Sequence, residues 1–221
     1  MNWRYWRRIP WIDTRAKFVA EVPADGNLLD LGSSDGQTLR HFFELRPDLH
    51  FAAADLVGAP ETYPPGTDFK RADFDADRLP WADGGFDAIT CMHVVEHLQE
   101  PGRLISEAAR LLKPGGRIYV ETPHPKSLTT RSAWGGGAGN VTMNFFDDPT
   151  HVRVVTTDAL SRDLRHAGLL PEKSGVSRNL FFAAAYPLYA AARSTSRKRF
   201  VAQLHWMGWS AYVVARTSGT R

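Results

Sequence analysis

Cysteine is almost missing from this chain of 221 residues: Cys91 stands alone. That excludes an internal disulfide and fits a reducing compartment. Long hydrophobic runs are missing too. The longest, residues 180–192, is interrupted by Pro187 and falls short of the roughly 20 residues a bilayer span needs. Residues 1–12 are rich in Trp and Arg and hold no apolar stretch with a small-residue cleavage site, so no secretory signal is expected. Internal repeats and low-complexity tracts are absent. Charge of one sign is scarce: the formal net charge is only +3, which says little about the domain as a whole. The expectation is a soluble, cytoplasmic protein. At 43% hydrophobic, it has enough material for a real core.

What is present is an alternation of strand-like and helical patterns from residue 27 to residue 122. Strands are expected at 27–31, 50–55, 68–72, 86–92 and 117–121, with helices at 36–45 and 101–112. Such alternation implies a parallel sheet with helices on both faces. Lys113-Pro114-Gly115-Gly116 reads as the turn between the second of these helices and the fifth strand. Beyond 122 the pattern loosens. Residues 123–150, including the Gly-rich stretch 134–139, read as a lid loop. A helix is expected at 157–167, two amphipathic helices within 179–209, and a last strand at 210–215. Residues 1–22 read as a helical arm.

The most informative segment is Leu28-Leu29-Asp30-Leu31-Gly32-Ser33-Ser34-Asp35-Gly36. It reads as a buried strand running into a Gly-rich turn and then a helix, where backbone N–H groups and the helix dipole face a ligand. About 20 residues on, a second strand ends in Asp55, placed to accept both ribose hydroxyls of a nucleoside. Asp73 follows the third strand, where it could meet an adenine amino group. A dinucleotide site uses G-x-G-x-x-G to cradle a pyrophosphate, but here the spacing is Gly32-x-x-x-Gly36. Asp30 and Asp35 beside the turn repel phosphate and suit a cation. S-adenosylmethionine, with a sulfonium and an α-ammonium and no phosphate, fits these electrostatics better than NAD.

Taken with Leu79-Pro80-Trp81-Ala82-Asp83-Gly84-Gly85-Phe86-Asp87, Val95-Glu96-His97-Leu98 and Leu111-Leu112-Lys113-Pro114-Gly115-Gly116, these residues resemble class I S-adenosylmethionine-dependent methyltransferases over roughly residues 25–170. The chain departs at Ser34, where that family usually has its middle glycine. The resemblance implies an α/β, Rossmann-like, doubly wound sheet of seven strands, mostly parallel with the last antiparallel. It is flanked by the N-terminal arm and a C-terminal helical insertion. The whole chain, 1–221, is then one domain, with a cofactor-binding core at 23–122 and an acceptor-side region at 123–221. The resemblance also implies that Asp30 and Gly32 line the methionine end, with Asp30 near the ammonium. Ser33, Ser34 and Gly36 complete the turn, Asp55 holds the ribose, and Leu56 lies under the adenine. Asp73 and Phe74 flank the adenine, and Met92 and His93 sit near the reactive methyl.

Methyl transfer to oxygen calls for orientation, desolvation and a base. The candidates are His93, His97, His124 and His151. Asp-Pro-Thr-His151 resembles a stretch of bacterial sugar and lipid-carrier methyltransferases, and His151 is either a base on the acceptor side or a cap of the following helix. The run Cys91-Met92-His93-Val94-Val95-Glu96-His97 resembles the ubiquinone-biosynthesis O-methyltransferases and, more distantly, small-RNA terminal 2′-O-methyltransferases. Both place a carboxylate where His93 stands and metal ligands at the Glu and His that follow. If the segment is helical, His93 and His97 share a face beside Glu96, which raises a divalent metal as a second cofactor. The flanks combine aromatics with cations: Trp3, Tyr5, Trp6 and Trp11 with Arg4, Arg7 and Arg8, then residues 180–192 followed by Arg193, Arg197, Lys198 and Arg199. They read either as an interfacial surface for anionic lipid or as helices covering the sheet with Arg heads in water. The expected activity is O-methylation of a small acceptor, hydrophobic or lipid-linked, with peripheral contact at the inner membrane surface. The alternatives are RNA or protein methylation and a non-catalytic cofactor-binding protein. No stacking module or basic stripe supports nucleic acid.

Overall fold

The computed structural model describes residues 3–132, 143–193 and 196–219, so the Gly-rich stretch 134–139 lies outside the described residues. Seven strands form one sheet: β1 (Asn27–Leu31), β2 (His50–Asp55), β3 (Asp68–Arg71), β4 (Phe86–Met92), β5 (Leu112–Pro123), β6 (Leu169–Ser177) and β7 (Ser210–Thr217). Their spatial order is β3-β2-β1-β4-β5-β7-β6. β1 to β5 pair parallel, and β7 runs antiparallel to both β5 and β6. This is the Rossmann-like sheet that the sequence implies, with its last strand antiparallel. β1 and β4 lie centrally with both faces covered, which is why their sequences are nearly continuous apolar runs.

The period of two along these strands splits the core into two layers. Leu29, Leu31, Ile89 and Val120 face one way and pack with α3 (Pro101–Leu111) and α4 (Thr157–His166). Leu28, Ala88 and Tyr119 face the other way and pack with α1 (Thr14–Ala20) and α2 (Gln37–Leu45). Leu104, Ile105, Ala108 and Leu111 give α3 its inward stripe, at the spacing of one helix face.

Four expectations shift. The expected turn at 113–116 is absorbed into the extended span of β5. Its pairing with β4 is irregular between Phe86 and Ala88, and Gly115 takes φ +76°. β6 was not expected at any stated position. It is an edge strand carrying Pro171, Glu172, Lys173 and Ser174, so one side faces water and the apolar alternation disappears. The arm forms short 3₁₀ turns, Trp3–Arg8 and Pro10–Ile12, ahead of α1. Trp3 and Trp6 are buried there, and Trp3 stacks on His41 of α2 at 4.7 Å. Asp13 caps α1 through Arg15 N and Ala16 N, and Asn179 donates to its carboxylate at 3.0 Å. Residues 179–209 do fold as two helices, α5 (Leu180–Ala191) and α6 (Arg197–Met207). However, α5 carries no polar face: every residue in Leu-Phe-Phe-Ala-Ala-Ala-Tyr-Pro-Leu-Tyr-Ala-Ala is apolar or aromatic, and only Ala183 is buried. Among the described residues, no helix is long and apolar enough to cross a membrane.

Candidate active site

The carboxyl ends of β1, β4 and β5 open on one side of the sheet, where an open α/β fold offers its crevice. β1 delivers Asp30 and then turns sharply. Gly32 has φ +84°, and a Cβ there would stand 2.2 Å from Val94 Cγ2, so only glycine fits. Gly36 caps α2 with φ +70°, and a Cβ would strike the Tyr63 ring at 2.2 Å. Ser34 itself adopts φ +45°, so serine takes up the glycine-like conformation at the position where it departs from the family pattern. Ser33 Oγ and Tyr63 Oη lie 2.8 Å apart.

Asp55, at the end of β2, holds this turn. Its Oδ2 accepts from Ser34 N at 2.8 Å and its Oδ1 from Val57 N at 2.9 Å, leaving lone pairs on both oxygens. Leu56 and Val57 beside it are 48% and 78% exposed, an apolar surface next to a carboxylate. Asp30 is buried and accepts from Thr90 Oγ1 at 2.6 Å. Burial pushes its carboxyl up to about 7, against the opposing Thr90 hydrogen bond, and Asp55 adds to the rise. Among the described residues no cation pairs directly with this buried acid, and Arg15 acts on it only as the last of its influences. Such an acid fits a ligand that brings a cation. The donor set therefore suits a nucleoside with a positive tail and no phosphate. Asp73 lies two residues past β3 and accepts from Asp75 N at 3.0 Å. Phe74 packs into the core, so little of its ring is left for a ligand.

Leu31 pairs with Cys91, so Met92 and His93 leave β4 level with Gly32 and Ser33 on the neighbouring strand. The helix on which a shared face for His93 and His97 was conditional does not form at 93–97. His93 takes φ +57°, outside the helical region, and the chain makes a turn in which His97 N donates to Val94 O at 2.9 Å. His93 and His97 therefore do not share a helical face. Instead the His93 ring lies between two fully buried carboxylates, with Nδ1 3.1 Å from Glu96 Oε1 and Nε2 3.2 Å from Glu121 Oε1. Facing carboxylates at both nitrogens, the ring donates from both. Burial lowers its pKa, but hydrogen bonds to Glu121 and Glu96 outweigh that and lift it to about 9. Glu121 also accepts from Arg15 Nε at 3.0 Å, pairs with Arg15 Nη2, and accepts from Tyr119 Oη at 2.6 Å. Burial alone raises its pKa, but Arg15 and His93 hold it well below the usual carboxylate range.

Sequence reasoning missed Arg15, Glu121 and Thr90. The available signal was Glu121 itself, a carboxylate in the otherwise apolar run Ile118-Tyr119-Val120.

His97 and His151, chosen as candidate bases, come together: their ring centroids lie 4.8 Å apart. His151 does not cap α4, which is capped by the Thr156 side chain. Its Nδ1 lies 2.6 Å from Phe145 O, and His97 Nδ1 lies 2.9 Å from Thr150 Oγ1. One ligand atom each from Glu96, His97 and His151 falls within 4.8 Å of the others. Glu96 Oε2 is buried with no hydrogen-bond partner. His124 stands apart and accepts from Lys126 N at the start of a 3₁₀ turn.

A family model described as a methyltransferase domain matches residues 3–173. The ubiquinone biosynthesis O-methyltransferase of Dechloromonas aromatica (strain RCB) is 30% identical over 184 residues, covering 78% of this chain and 75% of that protein. Its counterpart from Marinobacter nauticus is 29% identical over 190 residues, covering 78% and 74%. Among solved structures, the methyltransferase complexed with the Haloferax volcanii Trm112 activator superposes with TM-score 0.68 at 17% identity, covering 98% of this chain and 97% of that one. An S-adenosylmethionine-dependent methyltransferase of Mesorhizobium loti gives 0.62 at 18%, covering 95% and 97%. The [4+2]-cyclase SpnF gives 0.61 at 20%, covering 97% and 82%. At such identities these structures share a fold with this chain.

Proposed function

Because this chain belongs to the methyltransferase-domain family and is an S-adenosylmethionine-dependent methyltransferase, we propose that it methylates an oxygen of a small hydrophobic or lipid-linked acceptor. The bound cofactor supplies an electrophilic methyl group on a sulfonium. In this reading Asp30 faces the cofactor's ammonium, while Gly32, Ser33, Ser34 and Gly36 let the backbone approach it. Asp55 accepts the ribose hydroxyls with the lone pairs its own loop leaves free, and exposed Leu56 lies under the adenine, with Asp73 and Phe74 at its rim. Met92 and His93, level with the turn, border the acceptor. The names of the curated relatives support oxygen as the target.

The observation that carries the hydrophobic acceptor is α5. Leu180, Phe181 and Leu188 are 48%, 54% and 75% exposed on a helix with no charge. The Trp6 ring lies 6.0 Å from Phe181, which joins the arm to this surface. Beyond Glu172 the sequence holds eight Lys or Arg and no Asp or Glu. Aromatics and aliphatics beside such cations suit an anionic membrane surface, with each cation contributing about 1 kcal/mol near it. Two measurements test this: transfer of labelled methyl to an extract divided into aqueous and lipid fractions, and co-sedimentation with phosphatidylserine vesicles. Label in the lipid fraction and salt-sensitive vesicle binding are expected. Label confined to protein or RNA overturns the reading, as does failure to sediment at low salt.

The unpartnered Glu96 Oε2 favours one addition. Glu96, His97 and His151 form a two-histidine, one-carboxylate set whose other atoms are held by Phe145 O, Thr150 and His93. That is a donor set for a divalent cation with its supporting shell in place. Metal analysis of the purified protein is expected to find it, and a metal-free enzyme indifferent to chelation removes it.

A further inference from the structure

A cavity of about 190 Å³ lies past the end of β4, lined by Arg15, His93, Ser177, Leu204, His205, Trp209 and Ser210. Its volume is below the roughly 300 Å³ at which pockets hold whole drug-sized ligands. It is the size for the head of a molecule. Charge across its wall is layered. Arg15 and His93 reach the lining, while the carboxylates that neutralise them, Glu121 and Glu96, lie behind with no exposure. The surface presented inward is therefore rich in hydrogen-bond donors, with the Arg15 guanidinium among them.

Counting lone pairs shows what this wall lacks. Both His93 nitrogens are engaged by carboxylates. His205 Nδ1 accepts from Asn179 N at 3.1 Å, so its remaining Nε2 carries the hydrogen. Burial holds the His205 pKa at about 4, so the ring is neutral and a donor only. Ser177 Oγ stands 2.9 Å from Tyr119 Oη, whose one hydrogen goes to Glu121 Oε2 at 2.6 Å, so Ser177 donates to Tyr119. Ser210 Oγ stands 3.2 Å from His93 Nε2, which as a donor leaves the Ser210 hydrogen to be given elsewhere. Among the described residues, no lining side chain is placed to remove a proton. The Trp209 ring, fixed by its Nε1 donating to Met143 O at 2.7 Å and 5.3 Å from the His93 ring, adds a flat apolar wall. Leu204 continues into an apolar cluster with Met143, Phe200 and Met207.

We propose that this cavity takes the acceptor as a carboxylate on an apolar body, ionised before it binds, and that the product is a methyl ester. The inference rests on the methyl-transfer reading above and names its substrate class. The step balances without a base. A carboxylate oxygen forms a bond to the methyl carbon and the carbon–sulfur bond breaks. The electron pair stays on sulfur, so the anion and the sulfonium cancel and no proton is released. A neutral alcohol at the same place would need a proton acceptor that the wall does not offer.

The enzyme is incubated with labelled S-adenosylmethionine and either octanoate and benzoate or octanol and benzyl alcohol, and separately with a metabolite extract. Products are then treated with mild alkali. Label released as volatile methanol from the acids, at least tenfold above the alcohols, is expected. Label held in alkali-stable products overturns the carboxylate and leaves methyl transfer standing. No label in any fraction overturns both. Binding is read independently by calorimetry in the presence of S-adenosylhomocysteine. Benzoate is expected to bind at least fivefold more tightly than benzyl alcohol, and His205→Leu to erase that ratio without changing affinity for S-adenosylhomocysteine. An unchanged ratio in His205→Leu overturns the assigned donor.

Discussion

Asp30 and Glu121 are both fully buried carboxylates on the same sheet, two strands apart, and the protein treats them in opposite ways. Glu121 is surrounded by Arg15, His93 and Tyr119, which keep it ionised. Asp30 has one neutral partner, Thr90, and its carboxyl rises to about 7. The difference teaches where the molecule expects a cation from outside. Charge balance at β5 is internal and structural, whereas at β1 it is left for the ligand to complete.

The sharpest break of this contrast is Glu121→Gln. It leaves the Arg15 guanidinium and the His93 ring without their shared anion, and removing one partner of a buried pair costs about 3–5 kcal/mol. For a domain of this size, a fall in Tm of roughly 10 °C by calorimetry is expected. A shift within about a degree would mean that Glu121 is not holding the arm to the sheet. Asp30→Asn at neutral pH, by contrast, removes a buried acid without a cation, and the ligand-free protein is expected to hold or gain stability.

The second effect is a pH slope. Asp30 has a folded pKa of about 7 against about 3.9 for an unfolded aspartate, so between these values the folded state binds the extra proton. Stability of the ligand-free protein then falls as pH rises through that window, at about 1.4 kcal/mol per unit and about 4 kcal/mol in all. Urea unfolding at several pH values measures it, and Asp30→Asn should flatten this component. The cofactor's ammonium favours the ionised form, so cofactor affinity should weaken as pH drops below about 7, with a proton released on binding. Calorimetry in two buffers of different ionisation enthalpy reads that proton directly. Identical heats in the two buffers would mean that Asp30 does not meet the ammonium.

The two carboxylates also differ in how far the sequence revealed them. Asp30 stands in a strand–turn–helix whose glycines are fixed by φ and by contact with Val94 and Tyr63, and such local constraints leave a local signature. Strands β1, β2 and β4 were legible for a similar reason: buried inside the sheet, they are nearly continuous apolar runs, whereas β3 is a short, half-exposed edge strand. Glu121 meets Arg15 across 106 positions, and nothing local in either residue announces the other. β6 hid because this polar edge strand lacks the apolar alternation that marks a strand. The spacing of His93 and His97 suits one face of a helix, but the φ of His93 turns the segment out of a helix. His97 and His151 were both named as bases, but only the fold places them beside an unpartnered Glu96 oxygen.

Asp55→Ala sharpens the comparison from the ligand side. The carboxylate now serves Ser34 N and Val57 N, and in the cofactor reading it also serves the ribose. Loss of these contacts costs about 1–3 kcal/mol, so cofactor affinity should fall tenfold or more by calorimetry. Unchanged affinity would place the ribose elsewhere.

The smallest effect isolates the single partner that Asp30 has. Thr90→Val keeps the shape of the side chain and deletes the 2.6 Å hydrogen bond. That bond favours the ionised form, so its loss should lift the Asp30 pKa by about one unit, or about 1.4 kcal/mol. The pH at which the stability slope levels off would move up by the same amount, while the slope itself stays the same. Cofactor affinity at neutral pH should drop by up to about tenfold and recover at alkaline pH, because the variant changes only the cost of ionising Asp30. A drop that persists at high pH would mean that Thr90 contacts the ligand itself. If neither quantity moves, Asp30 is already ionised in the free protein, and the contrast with Glu121 loses its basis.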